Sequence, residues 1–369
     1  QVERNPELGY KEQKTAALTS RILEDAGFKC RKELALTGIK TSLSCGQPGP
    51  NVAVLGEMDA VVCPDSPNAD PHTGAAHACG HFLQLAAMVG VALGFAKSAV
   101  CPSLAGQITF MAVPAEEYVE IAYRQQLREQ KKIHFLGGKQ ELIYRGEFDD
   151  IDLAMMVHSQ NCPEPMVAIG ESSNGFIGKT IQYIGQESHA AEAPDKGINA
   201  LNAAMLGLMG IHAMRETFRD QDIVRVHPII TKGGDLVNTV PADVRMETYV
   251  RAKTMAAIES THKKVDRALK AGGDSVGATT IINTIPGYLP LVGVRKMNHL
   301  FRDNASCFIP GERITDSGHF GASTDMGDLS HLIPSLHPFV GGVSGSLHTK
   351  QFHVADYYAA CVLPAKLMA

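Results

Sequence analysis

The chain has 369 residues, of which 44% are hydrophobic and 20% are charged, and its formal net charge is −5. These values are ordinary for a globular protein, and the length exceeds what one hydrophobic core usually serves, so we expect two domains. The sequence has no basic stripe, which argues against nucleic acid as a partner, and its apolar runs are too short to span a membrane.

The eight cysteines are scattered through the chain and form no CxxC pair. In a chain of this length they do not indicate a disulfide framework, so a reducing, cytoplasmic location is the better prediction. No signal-peptide pattern is visible, but the sequence opens on Gln1 rather than Met, and targeting is therefore left open.

The first half of the chain alternates helix patterns with strand patterns. Residues 11–26 predict a helix, and three apolar strands are predicted over 51–60, 106–117 and 152–160. This alternation is typical of an α/β domain with a mostly parallel sheet.

Polar side chains stand at the end of each of these three strands. They are Asp59, then Glu116 and Glu117, then His158. Open α/β sheets bind their ligands beyond the carboxyl ends of the strands, so we expect these side chains to meet at one edge.

From about residue 175 the pattern changes to strand, helix, two strands, helix and strand. That order is typical of a ferredoxin-like sandwich, here complete between residues 175 and 288. We therefore predict a first domain formed by 1–174 and 289–369, with 175–288 as an inserted second domain.

The segment HACGH, residues 77–81, precedes an apolar helix pattern. Cys79 and His81 are two residues apart, but a turn that enters a helix can point both side chains into one site. A helix N-terminus also favours a thiolate, the form of cysteine that binds metal ions. Two other interpretations stay open at this point: Cys79 is a nucleophile with His77 or His81 as its base, or these are core residues.

The C-terminal segment SGSLHTKQFH adds His348, and spacing alone does not exclude His331, His337 or His353 instead. Together the candidate ligands supply one thiolate, three imidazoles and one carboxylate: Cys79, His81, Glu117, His158 and His348. Zinc and other first-row divalent ions favour this mixture. Five ligands exceed what one catalytic ion takes from a protein, which indicates two ions with one shared ligand.

Eight short motifs, in this order, resemble the dinuclear metallopeptidase family of aminoacylases, carboxypeptidase G, indole-acetyl-amino-acid hydrolases and p-aminobenzoyl-glutamate hydrolase. They are GEMDA, HACGH, AVPAEE, VHSQ, SHAA, NTVPADVRMETYVRA, GASTDMGDLSH and SLHTKQFH. The likeness runs from NPELGYKE, at residue 5, almost to the C-terminus. It implies a catalytic α/β domain with a mostly parallel sheet, and an inserted ferredoxin-like lid through which the chain forms a homodimer.

The branch of this family with a cysteine ligand implies the same five metal ligands, with Cys79 in the place of a bridging aspartate. Glu116 would be the general base that takes a proton from water and passes it to the leaving amine. Asp59 would orient a ligand imidazole. Phe82 departs from the family, because relatives usually have a polar residue such as Asn or Asp beside this histidine.

The resemblance also implies functional residues in the inserted domain. His189 would stabilise the developing oxyanion, in its own chain or across the dimer. Asn238 and Arg251 would hold a carboxylate of the substrate, with Arg245 as the alternative to Arg251.

We therefore expect a metal-dependent amidohydrolase of aminoacylase or dipeptidase type. Its cofactors would be two divalent ions, Zn or Mn with Co or Ni as alternatives, and its substrate an N-acyl amino acid or a dipeptide. The other interpretation is a non-catalytic relative that binds a metal or ligand on the same scaffold.

Overall fold

The computed structural model describes residues 1–369. The eighteen strands are β1 (Arg31–Leu34), β2 (Gly38–Ser44), β3 (Gln47–Glu57), β4 (Val61–Val62), β5 (Ala75–Ala76), β6 (Ala105–Val113), β7 (Leu153–Met155), β8 (His158–Asn161), β9 (Val167–Ser173), β10 (Gly175–Ile184), β11 (Arg225–Val226), β12 (Ile229–Lys232), β13 (Asp243–Ala252), β14 (Thr279–Pro286), β15 (Ile314–Phe320), β16 (Ser335–Leu336), β17 (Phe339–Ser344) and β18 (His353–Val354).

The nine α-helices are α1 (Gln13–Asp25), α2 (His81–Lys97), α3 (Ile121–Glu129), α4 (Gly138–Tyr144), α5 (Ala200–Ala213), α6 (Met255–Asp274), α7 (Arg295–Ser306), α8 (Met326–Ser330) and α9 (Leu363–Met368). Short 3-10 turns lie at Cys101–Ser103, Pro194–Lys196, Arg215–Thr217, Asp220–Asp222 and Gly311–Arg313, and a π-helical turn spans Tyr358–Val362. No helix is both long enough and apolar enough to cross a membrane.

The chain folds into two compact units. The first contains residues 1–172, 291–320 and 325–369, and the second contains 173–290 with 321–324.

A six-stranded sheet forms the centre of the first unit, in the order β1-β2-β6-β3-β7-β16. The four strands from β6 to β16 are parallel to one another, and only β2 runs antiparallel to its neighbours β1 and β6, which confirms the predicted mostly parallel sheet. Helix α2 packs closely on β3, because a Cβ atom at Gly56 would lie only 2.8 Å from the Cα of Leu85. This close contact fixes the N-terminus of α2 near the carboxyl end of β3.

The prediction of one continuous strand over residues 152–160 is wrong. It divides into β7, which belongs to the central sheet, and β8, which pairs with β17 in a second sheet. The segment that pairs with it is divided at the corresponding position. Its two parts, β16 and β17, lie on either side of His337 and Pro338. Proline has no N–H to donate to a strand ladder, so the pairing is interrupted there and both segments pass to the next sheet.

The second unit has an antiparallel sheet in the order β11-β13-β10-β14, with β12 also paired to β13. The order of its helices and strands confirms the predicted ferredoxin-like unit. Helices α5 and α6 approach each other at glycines, since a Cβ at Gly272 would lie 2.5 Å from the nitrogen of Gly207. The first of the two predicted middle strands, DIVRVHPIITKGG over residues 222–234, divides into β11 and β12 at His227 and Pro228, again where a proline interrupts the ladder.

The turn before α2 generates a first prediction. Gly80 has φ +92, and a Cβ added there would meet the Ser159 Oγ at 2.5 Å. We expect Gly80→Ala to lower the free energy of unfolding by about 1–3 kcal/mol, the usual cost of a non-glycine residue held in such a conformation. Urea denaturation followed by circular dichroism measures the change.

Gly94, in the interior of the same helix, provides the control. A Cβ there meets nothing within 4 Å, so Gly94→Ala should raise the stability by up to about 1 kcal/mol. Equal stabilities of Gly80→Ala and the wild type would contradict this account of the turn.

Candidate metal centre

The carboxyl ends of three adjacent central strands supply the acidic residues and one histidine of a buried cluster. Strand β3 ends at Glu57, two residues before Asp59, and β6 ends three residues before Glu116. His158 follows the end of β7 as the first residue of β8. The backbone of Ala115, just before the two glutamates, has φ +55, and non-glycine residues in this region are found preferentially at functional sites.

The HACGH turn brings a thiol and an imidazole to the same edge. Gly80 precedes the first turn of α2 in a left-handed conformation, and His81 is the first residue of the helix. The backbone N–H of His348 donates to the carbonyl of Ala78 at 2.8 Å, which ties the C-terminal loop to this turn.

Cys79 is the centre of two groups of possible metal ligands. In one group its sulfur lies 3.4 Å from the Nε2 of His158, and His81 completes the set. In the other, the sulfur lies 3.2 Å from the Nε2 of His348, which is 3.0 Å from the Glu117 Oε1. Within each group the ligand atoms lie within 4.8 Å of one another, so each group is compact enough to hold an ion.

Hydrogen bonds orient the imidazoles of His81 and His158. The Nδ1 of His81 lies 3.0 Å from the carbonyl oxygen of Asp59 and 3.1 Å from its Oδ1, while the Asp59 Oδ2 accepts from the backbone N–H of Glu117 at 2.7 Å. The Nδ1 of His158 lies 2.9 Å from the carbonyl of Ser159. Because Nδ1 is occupied in both rings, Nε2 is the nitrogen directed at the cluster.

The chemistry of these atoms fits divalent ions. The Nε2 of His81, the Oε2 of Glu57 and the Oε1 of Glu117 are buried, and no backbone or hydroxyl group donates a hydrogen bond to any of them. All three atoms carry lone pairs, and buried lone pairs without donors are costly unless a cation or proton satisfies them. Thiolate, imidazole and carboxylate are the donors that zinc and related ions use.

The electrostatic environment favours the thiolate of Cys79. Burial and the carboxylate of Glu117 oppose ionisation, but His81 and His158 outweigh them and lower the pKa of Cys79 to about 6. The thiolate is the form of cysteine that ligates metal ions.

Glu116 has a different environment from its neighbour. Its pKa is raised well above the ordinary value, mainly by burial and further by the charges of Glu57 and Glu117. Its Oε2 lies 3.8 Å from the Nε2 of His81. This places a carboxyl group that holds a proton readily beside the two ligand groups.

The alternative histidines occupy other positions. His353 directs its Nδ1 to the carbonyl of Gln351, and His337 is buried with its Nδ1 3.1 Å from the carbonyl of Met156. Burial and the neighbouring His158 lower the pKa of His337 to about 3. Of these histidines, His348 is the one that falls in a ligand group, while His337 packs its ring against that of His158.

His77 lies beside the cluster without belonging to a ligand group. Both of its ring nitrogens are buried and have no hydrogen-bond partner, and its ring centroid lies 5.4 Å from that of Phe82. The pKa of His77 is lowered to about 3, mainly because the ring is buried. The ring therefore packs as a neutral aromatic group.

Sequence reasoning did not identify three buried charged residues in this region as part of the site: Glu57, Lys139 and Asp325. Glu57 stands inside the GEMDA motif, and that was a signal that could have been used. Lys139 and Asp325 come together across 186 residues of chain, and no local pattern indicates the pairing.

The predicted residues of the inserted domain lie in the second unit. His189 and Asn238 are in neighbouring loops, where the N–H of Ala190 donates to the carbonyl of Asn238 at 2.8 Å. Both residues are exposed. The guanidinium of Arg251 donates to the Ser323 Oγ at 3.0 Å and lies 5.3 and 5.4 Å from two aromatic rings, those of Phe176 and Tyr249.

Comparisons with known proteins agree with these motifs. Residues 172–276 match the peptidase dimerisation domain M20_dimer. The Xaa-Arg dipeptidase of Mus musculus is 28% identical over 373 residues, which cover 94% of this chain and 76% of that protein. A p-aminobenzoyl-glutamate hydrolase chain of Escherichia coli (strain K12) is 26% identical, over 75% of this chain and 54% of that protein.

Solved structures share the fold. A dinuclear metal-binding peptidase of the M20 family, the YXEP protein of Bacillus subtilis, superposes with a TM-score of 0.70 at 19% identity, over 99% of this chain and 95% of that one. An aminobenzoyl-glutamate utilization protein from Klebsiella pneumoniae gives 0.67 at 18% identity, over 99% and 92%. The predicted resemblance is confirmed: this chain carries the dimerisation domain of the M20 peptidases, and its relatives and its fold are those of that family of metallopeptidases and amidohydrolases.

Proposed function

We propose that the protein is a metal-dependent hydrolase that cleaves the amide bond of an N-acyl amino acid or a dipeptide. The observation that carries the proposal is the pair of ligand groups that share Cys79, with the buried carboxyl group of Glu116 beside them. The names of the relatives support the substrate class, because they include a dipeptidase, an aminobenzoyl-glutamate hydrolase and an N-acetyl-L-cysteine deacetylase.

The proposed ligands of two ions, Zn or Mn with Co or Ni as alternatives, are Cys79, His81, Glu117, His158 and His348. Cys79 would be shared by both ions. When bound, such a pair supplies Lewis acidity that activates water and polarises the amide carbonyl. Asp59 would hold the ring of His81 in its ligating orientation through the Nδ1 contact at 3.1 Å.

Glu116 would move the proton of the reaction. Its buried carboxylate would accept a proton from the attacking water and, because its raised pKa lets it retain that proton, would donate it to the leaving amine. Neighbouring Glu117 faces His348 instead, so the two adjacent glutamates would have different roles.

The second unit would contribute to substrate binding. The Nδ1 of His189 accepts from the N–H groups of Ala191 and Glu192, at 3.3 and 3.0 Å, which leaves the proton of the neutral ring on Nε2. That N–H would stabilise the developing oxyanion, in its own chain or in a partner copy. Asn238 and Arg251 would bind the carboxylate of the substrate.

We also propose a homodimer formed through the second unit, in the cytoplasm. The unpaired state of all eight cysteines supports the location. The second unit has exposed apolar side chains on α5, on the edge strand β12 and in the loop after it: Met205, Met209, Ile229, Leu236 and Val237. Interfaces bury exposed apolar side chains of this kind, which makes these residues the candidates for the dimer contact.

The two histidines of the HACGH turn allow a test of the ligand assignment. We expect the wild type to bind about two equivalents of Zn or Mn per chain. His81→Leu should lose at least one equivalent, because it removes a ligand nitrogen, whereas His77→Leu should keep both. Metal analysis by mass spectrometry after dialysis measures the content, and metal loss in both variants alike would contradict the assignment.

Glu116→Gln tests the catalytic proposal. We expect the metal content to be unchanged and kcat to fall by about 10²–10⁴-fold, since the amide cannot accept the proton. Activity is measured on a panel of N-acyl amino acids and dipeptides with Zn, Mn or Co. A metal-loaded wild type that cleaves none of them would end the proposal, and turnover that resists chelation but is lost with iodoacetamide would favour Cys79 as a nucleophile.

The dimer is tested by one charged substitution in each unit. Ile229 on β12 is 60% exposed in the second unit, and Leu300 on α7 is 62% exposed in the first. Ile229→Asp should shift the protein towards monomer in sedimentation velocity, because it places a charge in the proposed interface. Leu300→Asp should leave the dimer intact, and a dimer that tolerates both substitutions would place the interface elsewhere.

A further inference from the structure

A fully buried ion cluster lies beneath the proposed metal centre. The Nζ of Lys139, on α4, is 2.5 Å from the Glu57 Oε1 and 2.5 Å from the Asp325 Oδ1. All three side chains have no exposed surface. The Asp325 Oδ2 also accepts from the backbone N–H of Lys139 at 2.9 Å, so the cluster joins the start of α4 to the start of α8 and the end of β3.

The second oxygen of Glu57 is directed at His81. The Glu57 Oε2 lies 3.1 Å from the Nε2 of His81, and neither atom has another hydrogen-bond partner. Two lone pairs at this separation repel each other unless a proton or a metal ion lies between them. The 3.1 Å contact is the distance of a hydrogen bond from a protonated His81, and it keeps the carboxylate of Glu57 beside the nitrogen with which His81 would hold an ion in place of that proton.

We propose that Glu57 is a positioning carboxylate of the metal centre. It places a fixed negative charge beside the ligand nitrogen of His81, and Lys139 with Asp325 holds it there. This proposal rests on the proposed function only in taking His81 as a metal ligand. Residues that orient or charge a metal ligand typically raise the affinity for the ion by 10–100-fold.

The cluster also explains why three ligand groups serve two ions. Glu57, His81 and Glu116 form a third group of close ligand atoms, but this group shares His81 with the first. His81 has one nitrogen available, since its Nδ1 faces Asp59, and one nitrogen serves one ion. The ammonium of Lys139 pairs with the other oxygen of Glu57. Its positive charge therefore already balances this carboxylate, and a third ion is not needed to do so.

Two nearly isosteric variants test the proposal. E57Q and D325N each remove one negative charge from the same buried cluster, but only E57Q removes the charge beside His81. We expect the Kd for Zn, measured by chelator competition, to rise by about 10–100-fold in E57Q. In D325N it should rise by less than about 10-fold. The absorption spectrum of the Co(II)-loaded protein should change in E57Q and stay as in the wild type in D325N.

Lysine variants separate this role from stability alone. K139M should weaken metal binding as E57Q does, whereas K179M, which removes the other fully buried lysine from its pair with Asp266 in the second unit, should not. Should a single substitution prevent folding, the double variant K139M with E57Q removes an opposite pair of charges and should show the same loss of affinity.

The outcomes distinguish the two proposals. A wild type that binds no metal ion overturns the proposed function. A wild type that binds metal normally, with equal affinities and equal Co(II) spectra in E57Q and D325N, overturns the role of Glu57 and leaves the proposed function standing.

Discussion

The structure of this site depends on the burial of charge at the carboxyl edge of one parallel sheet. Glu57, Asp59 and His81 are completely buried there, and an uncompensated buried charge is strongly destabilising. The fold compensates them locally: Asp59 bonds to His81 and to the N–H of Glu117, while Lys139 pairs with Glu57. Several lone pairs remain directed at one another, and two divalent ions would balance them.

The parallel arrangement makes this concentration of charge possible. Strands β3, β6 and β7 end at the same edge, so residues separated by about 100 positions in the chain meet there without long side chains having to reach. Helix α2 adds its N-terminus at the same place because Gly56 lets it lie close to β3. Cys79 and His81 can reach the same site although they are only two residues apart, because Gly80 between them adopts the left-handed conformation.

The sequence was sufficient to predict the resemblance to this family, the hydrolase class and the fold class, all of which the comparisons confirm. These predictions rest on local rules, namely strand ends, helix starts and short motifs. The residues that were missed depend on distant pairing: Lys139 looks like any lysine of a charged helix until Glu57 and Asp325 are placed around it. The divided strand at residues 152–160 was missed for the same reason, because Pro338 in the partner segment interrupts the pairing.

Phe82 is the residue that the family pattern did not predict, and its surroundings explain how the site accommodates it. Successive residues of a helix point about 100° apart, so Phe82 cannot face the same atoms as His81. It packs in an apolar cluster with Val61, Leu83 and Phe352, and its ring contacts His77. Polar support for His81 comes instead from β3 and the two residues that follow it. A phenylalanine is therefore compatible with the proposed metal centre next to it, because helix α2 would contribute one ligand, His81, and its neighbouring face belongs to the core.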